Sequence, residues 1–168
     1  MQLQNSLFRQ KVDRDMEDDE RVKTANKWLE NISKGITSHQ LEALSLDGLK
    51  IVHSHEGFIL CNFVVSNRIT DGDGNWKVGA MATLIDDVGA AAIYSLIGHI
   101  KVSLDFNISY YSTAKTQEEV EIEAKVVGEK GKLMSVVTEV RKKDNGQLIA
   151  LGRQWMASSN VTSKASKL

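Results

Sequence analysis

The chain has 168 residues, a formal net charge of −1, 42% apolar residues and 26% charged residues, close to an average soluble globular domain. This length suits one domain, and without a basic block we expect no nucleic-acid partner. We find no unbroken apolar run of membrane-spanning length and no apolar core of a secretory signal, so no membrane span is expected. Cys61 is the only cysteine, which excludes an internal disulfide and a cysteine-based zinc site.

The N-terminal part predicts one amphipathic helix. Residues 1–14 are expected to be frayed or disordered, whereas apolar residues recur at helical spacing over residues 15–33, at Val22, Ala25, Trp28, Leu29 and Ile32. We expect this face to pack against the rest of the protein. Residues 1–45 are therefore assigned to an N-terminal helical extension.

Six strand candidates follow, interrupted by one long apolar helix. The first two cover residues 49–52 and 58–65 and are joined by a turn holding His53 and His55; four more cover residues 102–110, 120–126, 133–141 and 147–157. The one-sided alternation of the strands after the helix indicates an antiparallel sheet with one buried face, and one helix against such a sheet is an α+β architecture. The two histidines lack a third ligand, and the loop over residues 70–75 lacks the closing glutamate of a calcium loop, so no metal or cofactor is expected.

The helix over about residues 78–98 lacks a wide polar face and is expected to be buried. Gly89 costs about 1 kcal/mol relative to alanine in a helix interior, which indicates a packing reason for it. Asp86 has no basic residue three or four positions away. It therefore either points into a cleft or is a buried, unpaired acid that destabilises the fold. Desolvation would raise the pKa of this carboxyl and make it a better general base.

Two further features of this helix leave alternatives open. Asp87 is expected at a solvent-facing or subunit-facing edge. Alternatively, Asp86 and Asp87 are both simply solvent-exposed acids along one edge of the helix. The first backbone N–H groups, near Val78 and Gly79, have no acceptor inside the helix and could stabilise an oxyanion.

Three segments carry a resemblance to a known family: GAMATLID at residues 79–86, VSLDFNISYYSTAK at 102–115 and GQLIALGR at 146–153. They resemble the small PaaI-like acyl-CoA thioesterases, the group that includes thioesterase superfamily member two, and the resemblance covers residues 46–158. It implies a hotdog fold, in which an antiparallel sheet wraps around one long helix. It also implies a homodimer or homotetramer that hydrolyses fatty or aryl acyl-CoA at active sites on the subunit interface.

Carried over residue by residue, the resemblance makes Asp86 the general base or nucleophile and the Val78 backbone N–H, beside Gly79, the oxyanion donor. Ser103 would help to place water from the partner subunit. It alternates with Val102 and Leu104, however, so it should not face the helix of its own subunit, and a plain exposed serine is the alternative.

The chain departs from the family pattern before and at the helix start. Asp71 takes the position of an asparagine in the preceding loop, and a second carboxylate in the site would raise one of the two pKa values. The family's His-Gly-Gly is Lys77-Val78-Gly79 here. Lys77 could attract the phosphates of CoA or be an ordinary solvated lysine.

Two other functions remain open, a non-catalytic hotdog protein that binds acyl-CoA or a protein partner and, more weakly, an acyl-CoA hydratase. Residues 159–168 are expected to form a flexible tail. The tail ends in Ser166-Lys167-Leu168, which matches a peroxisomal import signal read by the import receptor. With the helical extension, this tail resembles plant members of the family. We therefore expect a peroxisomal protein, with the cytoplasm as the alternative.

Overall fold

The computed structural model describes residues 2–99 and 102–157, with side chains from residue 16 onward. Ser166, Lys167 and Leu168 lie outside the described residues, so peroxisomal import stays a prediction.

Six strands form one antiparallel sheet in the order β1-β2-β4-β5-β6-β3. The helices are α1 (Gln2–Ser33), α2 (Gln40–Leu46) and α3 (Val78–Ile97), with a short 3₁₀ helix at Asn67–Ile69. The strands are β1 (Lys50–His55), β2 (Phe58–Val64), β3 (Val102–Tyr110), β4 (Glu119–Lys130), β5 (Leu133–Lys142) and β6 (Leu148–Ala157). The predicted α+β hotdog architecture is confirmed, because the sheet packs around one central helix.

That central helix, α3, occupies the position predicted for a buried helix. It has the length and hydropathy of a membrane span, but two thirds of its most apolar stretch is buried inside the protein. The sheet approaches closely enough that a Cβ on Gly152 of β6 would lie 2.5 Å from Ile85 Cγ2. Small residues therefore let helix and strands pack closely, and the core is continuous from α3 to the inner face of the sheet.

The N-terminal extension differs from the prediction in two respects. Helix α1 begins at Gln2 rather than near residue 15, because residues 2–14 are rich in good helix formers and contain neither glycine nor proline. Its later part packs as expected, with Ala25 and Leu29 fully buried.

The second helix, α2, was not predicted, since seven residues are too few to show a helical period. It begins with a local hydrogen bond, in which the His39 N–H donates to Glu42 Oε2 at 2.9 Å. Its end is anchored by Leu46, which is fully buried, and it packs across α3.

The first hairpin also differs in detail. Strand β1 continues through His53 and His55, and the turn is only Glu56-Gly57. Cys61 lies fully buried on β2, as a structural thiol would.

Candidate active site

Asp86, in the middle of α3, is held by a compact polar cluster. Its Oδ1 accepts hydrogen bonds from Ser103 Oγ at 3.0 Å and from Gln154 Nε2. The same Gln154 amide donates to Ser103 Oγ at 2.8 Å. Within the described residues, no donor reaches Asp86 Oδ2. The cluster therefore orients the carboxylate through one oxygen and leaves the other available to a reacting water.

Ser103 contacts the helix of its own chain, so the prediction that it faces away is wrong. The reason is a shift in the pairing of β3 with β6: Ser103 pairs with Met156, but Asp105 pairs with Trp155. This irregularity inserts Leu104 as an extra residue and reverses the alternation on one side of it. Ser103 consequently shares the inner face with buried Met156.

Gln154 was not singled out in the sequence, although it completes the cluster. It is 2% exposed on β6, and Gly89 makes room for it. A Cβ on Gly89 would lie 2.9 Å from Gln154 Oε1 and 3.3 Å from Thr138 Oγ1. The packing reason predicted for Gly89 is therefore confirmed. The available signal was a polar side chain at a buried position of β6, in phase with Gly152 and Met156.

Asp87 lies beneath α2 and not at a solvent-facing edge, because the unpredicted α2 packs over this part of α3. It is 8% exposed, and its Oδ2 is buried without a hydrogen-bond partner in the described chain. Burial first, and then the negative charges of Glu42 and Asp86, raise the pKa of Asp87 to about 7.

The two adjacent acids line one cleft of about 360 Å³ between α2, α3 and β3. Asp86 and Asp87 supply its carboxyl groups on the α3 side. The remaining lining residues come from the same three elements and the residue before α2: His39, Leu41, Glu42, Ala82, Thr83 and Phe106. The cleft thus combines apolar walls with the anchored Asp86, as an acyl-binding site requires.

The start of α3 is a separate, open region. Lys77 is the N-cap residue, and its N–H donates to Ile69 O at 2.9 Å. Val78 is 59% exposed and Gly79 is also exposed. As first-turn residues, both have backbone N–H groups without an intrahelical acceptor. The Tyr110 hydroxyl donates to Val78 O at 3.3 Å, which ties the end of β3 to this helix start.

The Lys77 side chain is exposed, and no acid among the described residues forms an ion pair with it. Its ammonium group is therefore available to an anion.

The Asp71 carboxylate accepts hydrogen bonds from the backbone of its own loop. One of its oxygens accepts from Asn75 N at 2.8 Å and from Asp73 N at 3.0 Å. These hydrogen bonds, that from the Asn75 backbone first, hold the pKa of Asp71 below its ordinary value. The expected pair of carboxylates belongs to a site shared between subunits, so it stays a prediction.

The helix start and Asp86 are too far apart to act on one carbonyl within a single chain. Val78 and Asp86 are eight positions apart, which is about 12 Å along the helix axis at about 1.5 Å per residue. Helical N–H groups also point toward the N-terminus, so the Val78 N–H is directed away from Asp86. Within one chain the helix start and Asp86 are therefore separate groups.

Comparisons with known proteins show the family to which the chain belongs. The family model described as the thioesterase superfamily matches residues 74–149. Human acyl-coenzyme A thioesterase 13 is 30% identical over 126 residues, which are 74% of this chain and 90% of that protein. The chain belongs to the thioesterase superfamily.

Solved structures of other proteins share the fold of this chain. Zebrafish thioesterase superfamily member 2 is similar with a TM-score of 0.72 and 28% identity, covering 80% of this chain and 97% of the other. The PaaI protein of Escherichia coli is similar in fold alone, at 16% identity and a TM-score of 0.66, covering 84% of this chain and 98% of the other. Among the described residues no group of His, Cys, Asp or Glu could hold a metal ion.

Proposed function

We propose that this member of the thioesterase superfamily hydrolyses fatty or aryl acyl-CoA thioesters to the free acid and CoA, with Asp86 activating the attacking water. The observation that carries the proposal is the Asp86 carboxylate, fixed at Oδ1 by Ser103 and Gln154 and unpartnered within the described chain at Oδ2. The name of the human relative, an acyl-CoA thioesterase, supports the same substrate class.

In the proposed reaction, Asp86 Oδ2 takes a proton from water while the water oxygen bonds to the thioester carbonyl carbon. The carbonyl oxygen becomes an oxyanion. When that intermediate collapses, the carbon–sulfur bond breaks, CoA leaves as a thiolate, and the proton held by Asp86 is returned to the products. Direct attack by Asp86 and hydrolysis of the resulting anhydride is the alternative route.

The oxyanion donor is supplied by a second copy of the chain. Strand β3 lies at the edge of the sheet and exposes large apolar side chains, an arrangement that favours pairing with another strand. These side chains are Val102, Leu104 and Tyr110.

Antiparallel pairing of two β3 strands joins the two halves of the site. Within one chain, Ser103 near the start of β3 contacts Asp86, and Tyr110 at its end contacts Val78. Pairing about the strand midpoint, Phe106, brings the start of one strand against the end of the other. Asp86 of one subunit then faces the N–H of Val78 of the partner subunit.

Lys77 would let this composite site also bind a phosphate of CoA. It is exposed next to the oxyanion donor, where a phosphate of CoA would meet both its ammonium group and the positive end of the helix dipole. Although Lys77-Val78 stands in place of the family's His-Gly, the helix start therefore keeps a backbone N–H donor and a positive charge.

The test is thiol release from a panel of fatty and aryl acyl-CoAs by the wild type, by Asp86→Asn and by the control Asp144→Asn, an exposed turn acid. We expect Asp86→Asn to lose about 10²–10⁴-fold in kcat, the usual contribution of a general base, and the control to match the wild type. Binding of acyl-CoA without thiol release from any member of the panel would instead establish the non-catalytic alternative. Equal rates for Asp86→Asn and wild type would remove Asp86 from the mechanism.

A further inference from the structure

The carboxyl group of Asp87 is closed off from solvent where α2 packs across α3. Asp87 is 8% exposed, and its Oδ2 is buried without a hydrogen-bond partner within the described residues. An ionised carboxylate that has neither a donor nor a counter-charge is strongly disfavoured in a protein interior. The closed arrangement of α2 on α3 therefore requires a neutral Asp87.

Within the described chain, no positive charge compensates an ionised Asp87. The charges that act on it are those of Glu42 on α2 and Asp86 on α3, and both are negative. Helix α1 faces α3 with buried apolar side chains. On the inner face of the sheet, the one titratable group among the described buried residues is the thiol of Cys61, whose pKa burial raises to about 12. His39, exposed before α2, is the remaining titratable group at the cleft. Ionisation of Asp87 therefore sets its charge against that of α2.

Helix α2 is weakly held. It has seven residues, too few for a stable helix on its own. Its C-terminal end is anchored by Leu46, which is fully buried, and by an exposed ion pair between Asp47 and Arg68 at 3.2 Å, a kind of pair that stabilises little. The segments on either side each contain a glycine with a left-handed backbone, Gly35 (φ 71°) and Gly48 (φ 87°). Helix α2 can therefore move about these two segments while α3 and the sheet stay folded.

Helix α2 also forms one wall of the cleft that contains Asp86. It contributes Leu41 and Glu42, whereas Ala82 and Thr83 come from α3. Movement of α2 away from α3 therefore widens this cleft of about 360 Å³ beside the Asp86 carboxylate.

We propose that α2 is a pH-sensitive lid, closed over α3 while Asp87 is neutral and loosened when Asp87 ionises. The lid movement depends on the fold alone, whereas its consequence, wider access to Asp86, rests on the thioesterase function proposed above. The pKa of Asp87 is about 7 in the closed structure, against an ordinary value of 3.8. The equilibrium constant for opening should therefore rise about tenfold per pH unit between these two values and stay constant above them, a total of about 10³-fold.

Opening is measured by the reactivity of a thiol placed on the buried side of the lid. Ser45 is fully buried on α2, and Ser45→Cys replaces its oxygen with sulfur. Cys61, fully buried on β2, is the internal control, because it becomes accessible only when the sheet opens. A dipyridyl disulfide labels both thiols from pH 4 to 8. Rates are compared at equal pH between Ser45→Cys and the double variant that also carries Asp87→Asn, so that the intrinsic pH dependence of the thiol cancels.

The introduced thiol should react faster than Cys61 at every pH, because α2 opens without the sheet. Relative to the double variant, its rate in Ser45→Cys should rise about 10³-fold from pH 4 to 7 and then stay constant. Glu42→Gln, added to Ser45→Cys, is the matched control on α2, since it removes one charge but keeps an acceptor for the His39 N–H. Most of the rise should remain in this control, because burial is the largest cause of the raised pKa of Asp87.

Amide hydrogen exchange of the α2 peptide, compared at equal pH between wild type and Asp87→Asn, gives the same ratio without Ser45→Cys. Equal labelling rates of the introduced thiol and Cys61 would overturn the proposal, because α2 would then open only when the whole protein unfolds. A ratio that does not change with pH would show that movement of α2 does not expose Asp87. A rise that disappears in Glu42→Gln would assign the pH dependence to Glu42 instead. No acyl-CoA is present, so these outcomes are independent of hydrolysis, which thiol release tests separately.

Discussion

The middle and the start of α3 differ in how much of their chemistry one chain supplies. In the middle, Asp86 is bound by Ser103 and Gln154, and Gly89 is required by the packing of that glutamine. At the start, Val78 and Gly79 are exposed, and their N–H groups point toward the N-terminal end of the helix. The middle holds a preorganised carboxylate, whereas the N–H donors at the start have no acceptor inside the helix.

In the proposed function, this difference corresponds to a site divided along its own helix. The two regions are about 12 Å apart along the axis, yet β3 contacts both, one at each of its ends. In the proposed twofold arrangement through β3, each region completes the other. The following predictions test the two regions separately, in order of decreasing effect on free energy.

The largest effect concerns Asp87 in the middle of α3. Its pKa is raised from 3.8 to about 7, so folding disfavours the carboxylate. The wild type should therefore lose stability as the pH rises from about 4 to 7, by on the order of 4 kcal/mol. Asp87→Asn has no such dependence, and its stability relative to wild type should grow by that amount over the same range. Urea unfolding of both proteins from pH 4 to 8 measures this difference. If the free energy of unfolding changed with pH equally in wild type and Asp87→Asn, burial would not raise the pKa of Asp87.

The start of α3 is tested by removing one N–H. Val78 is the first helical residue, a position where proline is tolerated, and Lys77 before it has the extended backbone that proline requires (φ −65°, ψ 128°). Val78→Pro should lower kcat about 10²–10³-fold, as loss of an oxyanion donor does. Val78→Ala keeps the N–H and should stay near wild type. Equal kcat in the two variants would exclude this donor.

A smaller effect is expected where Gln154 positions Asp86. Gln154→Met removes the donor to both Asp86 and Ser103 and should lower kcat about tenfold. Because the amide contacts the base rather than the substrate, KM should change little. Gln147→Met, at an exposed glutamine, is the control. A rise in KM at constant kcat would make Gln154 a binding residue instead.

The smallest effect concerns Lys77. Lys77→Ala should raise KM for acyl-CoA a few-fold at low salt, the usual size of an exposed charge interaction. With an acyl-pantetheine substrate, which lacks the nucleotide phosphates, the same variant should match the wild type. Lys130→Ala, at an exposed residue of β4, serves as the control. An equal loss with both substrates would mean that Lys77 does not bind phosphate.

Much of this arrangement could be predicted because it follows from periodicity. Six strand candidates, with alternation in those after the helix, and one buried apolar helix were sufficient for the α+β architecture. The acid that interrupts this helix, Asp86, was the principal candidate residue. Gly89, unexplained by helix propensity, was correctly assigned a packing role.

The remaining features depend on contacts that a period of two or 3.6 residues does not encode. One extra residue at Leu104 reverses the face on which Ser103 lies. The seven residues of α2 cover Asp87 although they are too short to be recognised. Asp71 and an asparagine look equivalent in a sequence, but the Asp71 carboxylate is satisfied by the backbone of its own loop.

The most direct test of the divided site is complementation between Asp86→Asn and Val78→Pro. Each variant alone should have little activity. When the two are refolded together in equal amounts, half of the dimers are mixed, and each mixed dimer contains one intact site out of two. The account predicts recovery to about a quarter of the wild-type rate. If Asp86 and the Val78 N–H acted within one chain, every chain would still carry one lesion, and the mixture would remain as inactive as its two components.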